Sequence, residues 1–112
     1  MPGTREDATL IVELAKWGAM IGLTEASRKI YADDFDAEIA NALDPEVQAV
    51  LTWHETIGTL VKNHLLDRDL VYDWLWVAGS WDRVGPAALK ARELAGVPEL
   101  FANFEELAEG QS

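Results

Sequence analysis

The sequence contains no cysteine, and this absence excludes a disulfide framework, a thiolate zinc site and a cysteine nucleophile. Basic residues are scarce as well: nine Lys and Arg stand against twenty Asp and Glu, which gives a net charge of −11. Such a field repels nucleic acid phosphates and anionic lipid surfaces, so we expect neither as a partner. The apolar runs are far shorter than the ~20 residues of a membrane span. Because residues 1–7 also lack the pattern of a signal peptide, we expect a cytoplasmic protein.

The sequence contains no residue spacing that is typical of a catalytic or metal-binding site. The two histidines, His54 and His64, are separated by about 15 Å if they share a helix, so they cannot bind one metal ion together. A di-iron bundle needs Glu-x-x-His, but Leu51 and Val61 occupy the glutamate positions. No phosphate-binding loop, dinucleotide fingerprint or nucleophile turn occurs. The sequence therefore predicts no metal, no cofactor and no catalytic residue, and it favours a non-enzymatic function.

The pattern that is present is that of an all-α protein with one domain over residues 1–112. Hydrophobic residues make up 49% of the chain, which is enough to fill one core. Their helical spacing and the short loops predict a compact antiparallel bundle of about five to six helices. We expect residues 1–6 and 110–112 to fray.

Capping residues predict the helix boundaries. Thr and Asp favour the position before a helix, proline its first position, and glycine the residue after its end. The predicted caps are Thr4, Gly22, Thr24, Asp44, Asp67 and Gly96. They delimit helices over about 8–21, 24–32, 45–65, 68–84, 86–95 and 98–109. Gly85-Pro86 is predicted to break or bend the chain between the fourth helix and the fifth.

Trp76 is the residue that fits this packing least. The apolar arc of a helix over 68–84 holds Leu70, Trp74, Val77, Ala78 and Trp81. Trp76 lies opposite that arc, among polar side chains and Tyr72. A tryptophan among polar neighbours is typical of an interface anchor. The alternative is that another helix of the bundle covers this side.

These patterns predict an interaction module that binds a protein partner or a second copy of itself. Trp76, Tyr72 and Trp53 are the predicted contact residues, and Trp53 is included because the apolar arc of its helix is wide enough to touch neighbours on two sides. The acidic composition favours a basic partner.

His54 supports an alternative, because it lies near the middle of an apolar helix face. A small apolar ligand would bind in an aromatic pocket of His54, Trp74 and Trp81 between helices. The same residues also fit a packed core in which the histidine is hydrogen-bonded, or an enzyme that uses His54 as an acid or base.

A set of spacings between His54 and Leu107 resembles a known family. The spacings are Glu55-x-Ile57-Gly58-x-Leu60-Val61, Leu66-x-x-x-Leu70-Val71, Trp81, Arg92 and Asn103-Phe104-Glu105-x-Leu107. They cover about half of the chain and resemble short bacterial helical proteins known only as a domain of unknown function. In that family an aromatic residue is usual where His54 stands. The resemblance implies a helical fold, a structural ion-pair role for Arg92 and Glu105, and no activity or cofactor.

Overall fold

Six helices make up the secondary structure of residues 3–111, which is the part of the chain that the computed structural model describes. They are α1 (Arg5–Met20), α2 (Leu23–Tyr31), α3 (Pro45–Lys62), α4 (Arg68–Trp74), α5 (Val77–Ala95) and α6 (Ala102–Glu109). No strand occurs among these residues, and none of the six helices is long and apolar enough to cross a membrane. The all-α prediction and the number of helices are confirmed.

The first helix begins with a capping box. Thr4 Oγ1 accepts from the Asp7 amide at 3.2 Å, and Asp7 Oδ2 accepts from the Thr4 amide at 2.7 Å. The second carboxylate oxygen of Asp7 accepts from the Asp67 amide at 3.3 Å, which joins the start of α1 to the start of α4. The backbone hydrogen bond from Thr4 keeps the pKa of Asp7 below its ordinary value. Arg5 and Glu6 belong to α1, and residues 1, 2 and 112, which are among those expected to fray, lie outside the described residues.

Two predicted caps act differently in the structure. Gly22 has the left-handed conformation expected of it, with φ at 76°, but α2 begins directly after it at Leu23, so Thr24 lies inside the helix and does not cap it. Asp44 precedes α3 as predicted, yet its carboxylate accepts from the Asn41 amide at 3.0 Å and from no amide of α3. The Asp44 side chain therefore stabilises a turn upstream of α3 and does not cap the helix.

The predicted break at Gly85-Pro86 is wrong. α5 runs through Pro86 to Ala95, and the chain breaks earlier, at Leu75 and Trp76. Proline removes one amide donor from a helix interior, yet α5 continues through Pro86, and Val84, Gly85, Ala87 and Ala88 on either side of it are buried. The observed break depends on a contact with the C-terminal end of the chain, which local sequence does not show.

α3 is the central helix and packs against α2, α5 and α6. Its buried residues are Val47, Val50, Leu51, Trp53, His54, Ile57 and Gly58. This face is wider than one amphipathic stripe because three helices cover it. Leu65, the last residue of the helix predicted over 45–65, is 64% exposed, since α3 ends at Lys62 and the chain turns at His64, where φ is 61°.

Candidate functional site

Trp76 lies on the surface at the junction of α4 and α5, with 67% of its area exposed. Leu75 and Trp76 leave the helical conformation, so the Leu75 carbonyl and the Ala78 amide lose helical partners. Gln111 supplies both: its amide nitrogen donates to Leu75 O at 2.8 Å, and its carbonyl oxygen accepts from Ala78 N at 2.9 Å. Gln111, expected to fray, instead fixes the junction that presents Trp76.

The Trp76 ring is held in place although most of it faces solvent. It stacks on Tyr31 with 6.2 Å between centroids and 8° between planes. Gly79 lies so close that a Cβ there would fall 2.3 Å from the indole. The Tyr31 hydroxyl in turn bonds with Ser80 Oγ at 2.8 Å. We call Trp76 and Tyr31 the aromatic pair; no helix within residues 3–111 covers it, contrary to one of the two sequence alternatives.

Arg83 fixes the end of α2, and with it Tyr31, against α5. Its Nε donates to Ile30 O at 2.6 Å and its Nη2 to Ala32 O at 2.9 Å. Both carbonyls lie at the C-terminal end of a helix, where they lack helical partners and where a cation is favourable. This guanidinium is therefore engaged in the fold beneath the aromatic pair.

Acidic side chains flank the aromatic pair along the chain. Asp33 and Asp34 follow the end of α2, and Asp73 lies in the last turn of α4; all three are exposed. Two basic residues lie in the last turn of α2: Arg28 is paired with Glu25 at 3.4 Å, and Lys29 is exposed. Three exposed carboxylates therefore lie close in sequence to the aromatic pair, together with the cations Lys29 and Arg83.

Trp53, one of the predicted contact residues, is a core residue. Only 2% of its surface is exposed, and its Nε1 donates to Leu14 O at 2.9 Å across the α1–α3 interface. This corrects the prediction that it contacts a partner. The wide apolar arc of α3 is explained by contacts within the protein: α2, α5 and α6 pack against this helix, and Trp53 itself contacts Leu14 on α1 and Trp74 on α4.

Tyr72, the other predicted contact residue, is engaged with α6. It is half-buried, and its hydroxyl donates to Leu107 O at 2.6 Å, which joins α4 to α6. Burial raises the pKa of Tyr72 above its ordinary value. Tyr31, which the sequence reasoning missed, takes the place beside Trp76.

The three residues of the suggested ligand pocket belong to a continuous aromatic core. Trp74 and Trp53 pack edge to face at 5.4 Å, and Trp53 and His54 at 5.0 Å. His54 stacks on Phe104 at 4.6 Å, and Phe104 meets the ring of Trp81 at 5.0 Å. These ring contacts are those of a packed aromatic core, in which Trp53 and Phe104 lie between the three residues of the alternative ligand pocket.

His54 has the hydrogen bond that a buried imidazole requires. Its Nδ1 lies 2.8 Å from Val50 O, and a carbonyl can only accept, so the proton is on Nδ1. Burial lowers its pKa from 6.5 to about 4. The ring is therefore neutral at pH 7. Among residues 3–111, no group of three His, Cys, Asp or Glu side chains is arranged to hold a metal ion.

The polar residues of the family resemblance hold α6 against the bundle. Glu55 accepts from the Phe104 amide at 2.9 Å, in the first turn of α6. Arg92 pairs with Glu105 at 2.9 Å and donates from Nε to Leu100 O at 2.6 Å. The ion pair expected for Arg92 and Glu105 is confirmed, and its role in the structure is to dock a helix.

Arg92→Met is expected to lower the free energy of unfolding by about 2 kcal/mol, because it leaves the Glu105 carboxylate and the Leu100 carbonyl without their partner in a partly buried place. It also removes the guanidinium that lies 6.0 Å from the Trp81 centroid. Urea denaturation measures the change. Lys16→Met is the control, because its ion pair is 67% and 62% exposed and should contribute less than about 1 kcal/mol. Equal losses in the two variants would contradict this role.

The comparisons with known proteins give a family and no activity. A family model described as a domain of unknown function (DUF4760) matches residues 4–111, so the chain belongs to that family. The comparisons found no match among curated proteins and none among solved structures. The match spans all six helices and confirms the resemblance read from the sequence.

Proposed function

We propose that this member of the DUF4760 family is a non-enzymatic interaction module that binds a basic protein partner through the aromatic pair. The observation that carries the proposal is the state of Trp76, which is 67% exposed yet already stacked on Tyr31. Tryptophan and tyrosine are enriched among the residues that dominate binding energy at interfaces. Because the ring is held before any partner arrives, little side-chain freedom remains to be lost on binding.

Charge supports a basic partner over a second copy of the chain. The protein carries a net charge of −11, and Asp33, Asp34 and Asp73 flank the aromatic pair. A symmetric dimer through this face would bring two negative surfaces together, which is unfavourable. A partner's Arg or Lys, by contrast, gains from these carboxylates and from the exposed indole face. A cytoplasmic and bacterial setting remains part of this proposal.

The two alternatives from the sequence, a small-ligand pocket and an enzyme that uses His54, have less support than the interaction module. The region around His54, Trp74 and Trp81 is filled by protein side chains. A neutral imidazole with a pKa of about 4 is a weak base at pH 7, and its Nδ1 proton is engaged with Val50 O. The geometry favours a surface function over chemistry in the core.

Trp76→Ala is expected to leave the fold almost unchanged, with a loss of less than about 1 kcal/mol in the free energy of unfolding, because the ring is mostly in water already. Trp53→Ala is the matched comparison: it removes the same side chain from the core and should lower the stability by about 4 kcal/mol. Circular dichroism during urea denaturation measures both. If Trp76→Ala loses as much stability as Trp53→Ala, the main role of Trp76 is to stabilise the fold and not to bind a partner.

The test of function is a comparative capture from a lysate of the organism that encodes the protein. We expect the wild type to retain a basic protein at low salt, and Trp76→Ala to retain at least tenfold less of it. Leu65→Ala is the control, since Leu65 is a similarly exposed apolar residue, at 64%, in the loop after α3. Equal retention by Trp76→Ala and the wild type would overturn the proposal.

A further inference from the structure

A concave surface of about 490 Å³ lies between α5, the first half of α3 with the loop before it, and the turn before α6. Thirteen residues line it: nine are apolar, three are polar and neutral, and one is Lys90. None of the thirteen is acidic, although the chain has twenty acidic residues. This concave surface, which we call the groove, therefore has no acidic lining residue in a protein that is strongly acidic as a whole.

The groove exists because small residues form its floor and larger ones its rim. Ala87 is 1% exposed and Ala91 is half-buried, and their small side chains leave room above α5. Leu43 is 79% exposed and Leu94 is 88% exposed, so each of these lining leucines keeps most of its apolar surface in water. An aliphatic chain laid in the groove would remove that surface from water.

Lys90 places a positive charge at this apolar surface. Its Nζ donates to the backbone carbonyl of Glu38, in the segment that leads to the groove. An ammonium has three donors, so this bond leaves donors for a further acceptor. The ion pairs among residues 3–111 involve Lys16, Arg28 and Arg92, and Lys90 is in none of them.

We propose that this groove binds a small amphiphilic carboxylate, with the aliphatic chain between Leu43 and Leu94 and the carboxylate at Lys90. Its volume lies within the range of about 300–1,000 Å³ that is usual for small-molecule sites. Its thirteen lining residues are fewer than the roughly 20–30 that one side of a protein interface uses. Lys90 is also about 21 Å along α5 from Trp76, so this site is separate from the aromatic pair.

Isothermal titration calorimetry with sodium decanoate, below its micellar concentration and at low salt, tests the proposal. We expect saturable binding of one decanoate per chain, and at least tenfold weaker binding of decyltrimethylammonium, which has the same chain and the opposite charge. Lys90→Met should weaken decanoate binding about fivefold. Lys62→Met, which removes a cation outside the groove, should leave it unchanged.

Leu94→Asp provides a variant that does not threaten the core, because Leu94 is 88% exposed. It should weaken decanoate binding at least tenfold, whereas Met20→Asp, which makes the same change in charge at an 84% exposed position outside the groove, should not. Three results would each overturn the proposal: no saturable heat with decanoate, equal binding by Leu94→Asp and Met20→Asp, or equal affinity for the cationic probe.

Discussion

Replacing Gly58 with alanine is expected to lower the free energy of unfolding by about 3 kcal/mol. A Cβ at this position would lie 2.5 Å from the backbone oxygen of Asn103 and 3.1 Å from the Phe104 amide nitrogen. Those backbone atoms cannot withdraw without loosening the hydrogen bond from Phe104 N to Glu55. The better helix propensity of alanine, about 1 kcal/mol, offsets only part of this loss. Urea denaturation followed by circular dichroism measures the change.

Gly96→Ala separates steric conflict from backbone strain. Gly96 has φ at 69°, and a Cβ there would meet nothing within 4 Å, so the variant should lose only the ~1–2 kcal/mol of a left-handed alanine. If Gly58→Ala loses no more stability than Gly96→Ala, then the close approach of α3 and α6 is not the reason that position 58 requires glycine.

Lowering the pH from 7 to 4 is expected to remove about 3 kcal/mol of stability through His54 alone. Burial lowers its pKa in the folded protein from 6.5 to about 4, so the unfolded chain takes up the proton first as the pH falls. The contribution of His54 to the free energy of unfolding is therefore complete above pH 6.5 and is lost progressively down to about pH 4. The lowered pKa of Asp7 acts in a different window, because its contribution disappears only as the pH falls below about 3.8.

His54→Phe isolates this effect, because phenylalanine keeps an aromatic ring against Phe104 and cannot titrate. We expect the pH dependence of its unfolding free energy between pH 6.5 and 4 to be smaller by about 3 kcal/mol. An unchanged profile for His54→Phe would mean that other groups control the response to acid.

Capping residues in the sequence predicted those helix boundaries that depend on contacts between residues close together in the chain. The Thr4–Asp7 capping box starts α1, Pro45 starts α3, and Gly22 and Gly96 have the left-handed conformation that ends a helix. The junction between α4 and α5 could not be predicted in this way. At this junction Gln111 accepts a hydrogen bond from Ala78 N and donates one to Leu75 O, and these partners lie 33 and 36 residues away along the chain.

The candidate site was predicted only in part. Trp76 was found from its polar neighbours on a continuous helix, whereas it is exposed because the chain leaves the helix there. Tyr31 had no signal, since a tyrosine at a helix end 45 residues away says nothing about stacking. The groove at Lys90 was missed because its alanines look like ordinary core residues in the sequence.

Native mass spectrometry of the untagged protein, purified gently from the organism that encodes it, tests the central claim most directly. The proposal predicts a heteromeric complex with a basic protein, present for the wild type and Leu65→Ala and absent for Trp76→Ala. A homodimer that Trp76→Ala leaves intact, or a monomer with no partner in all three preparations, would contradict it.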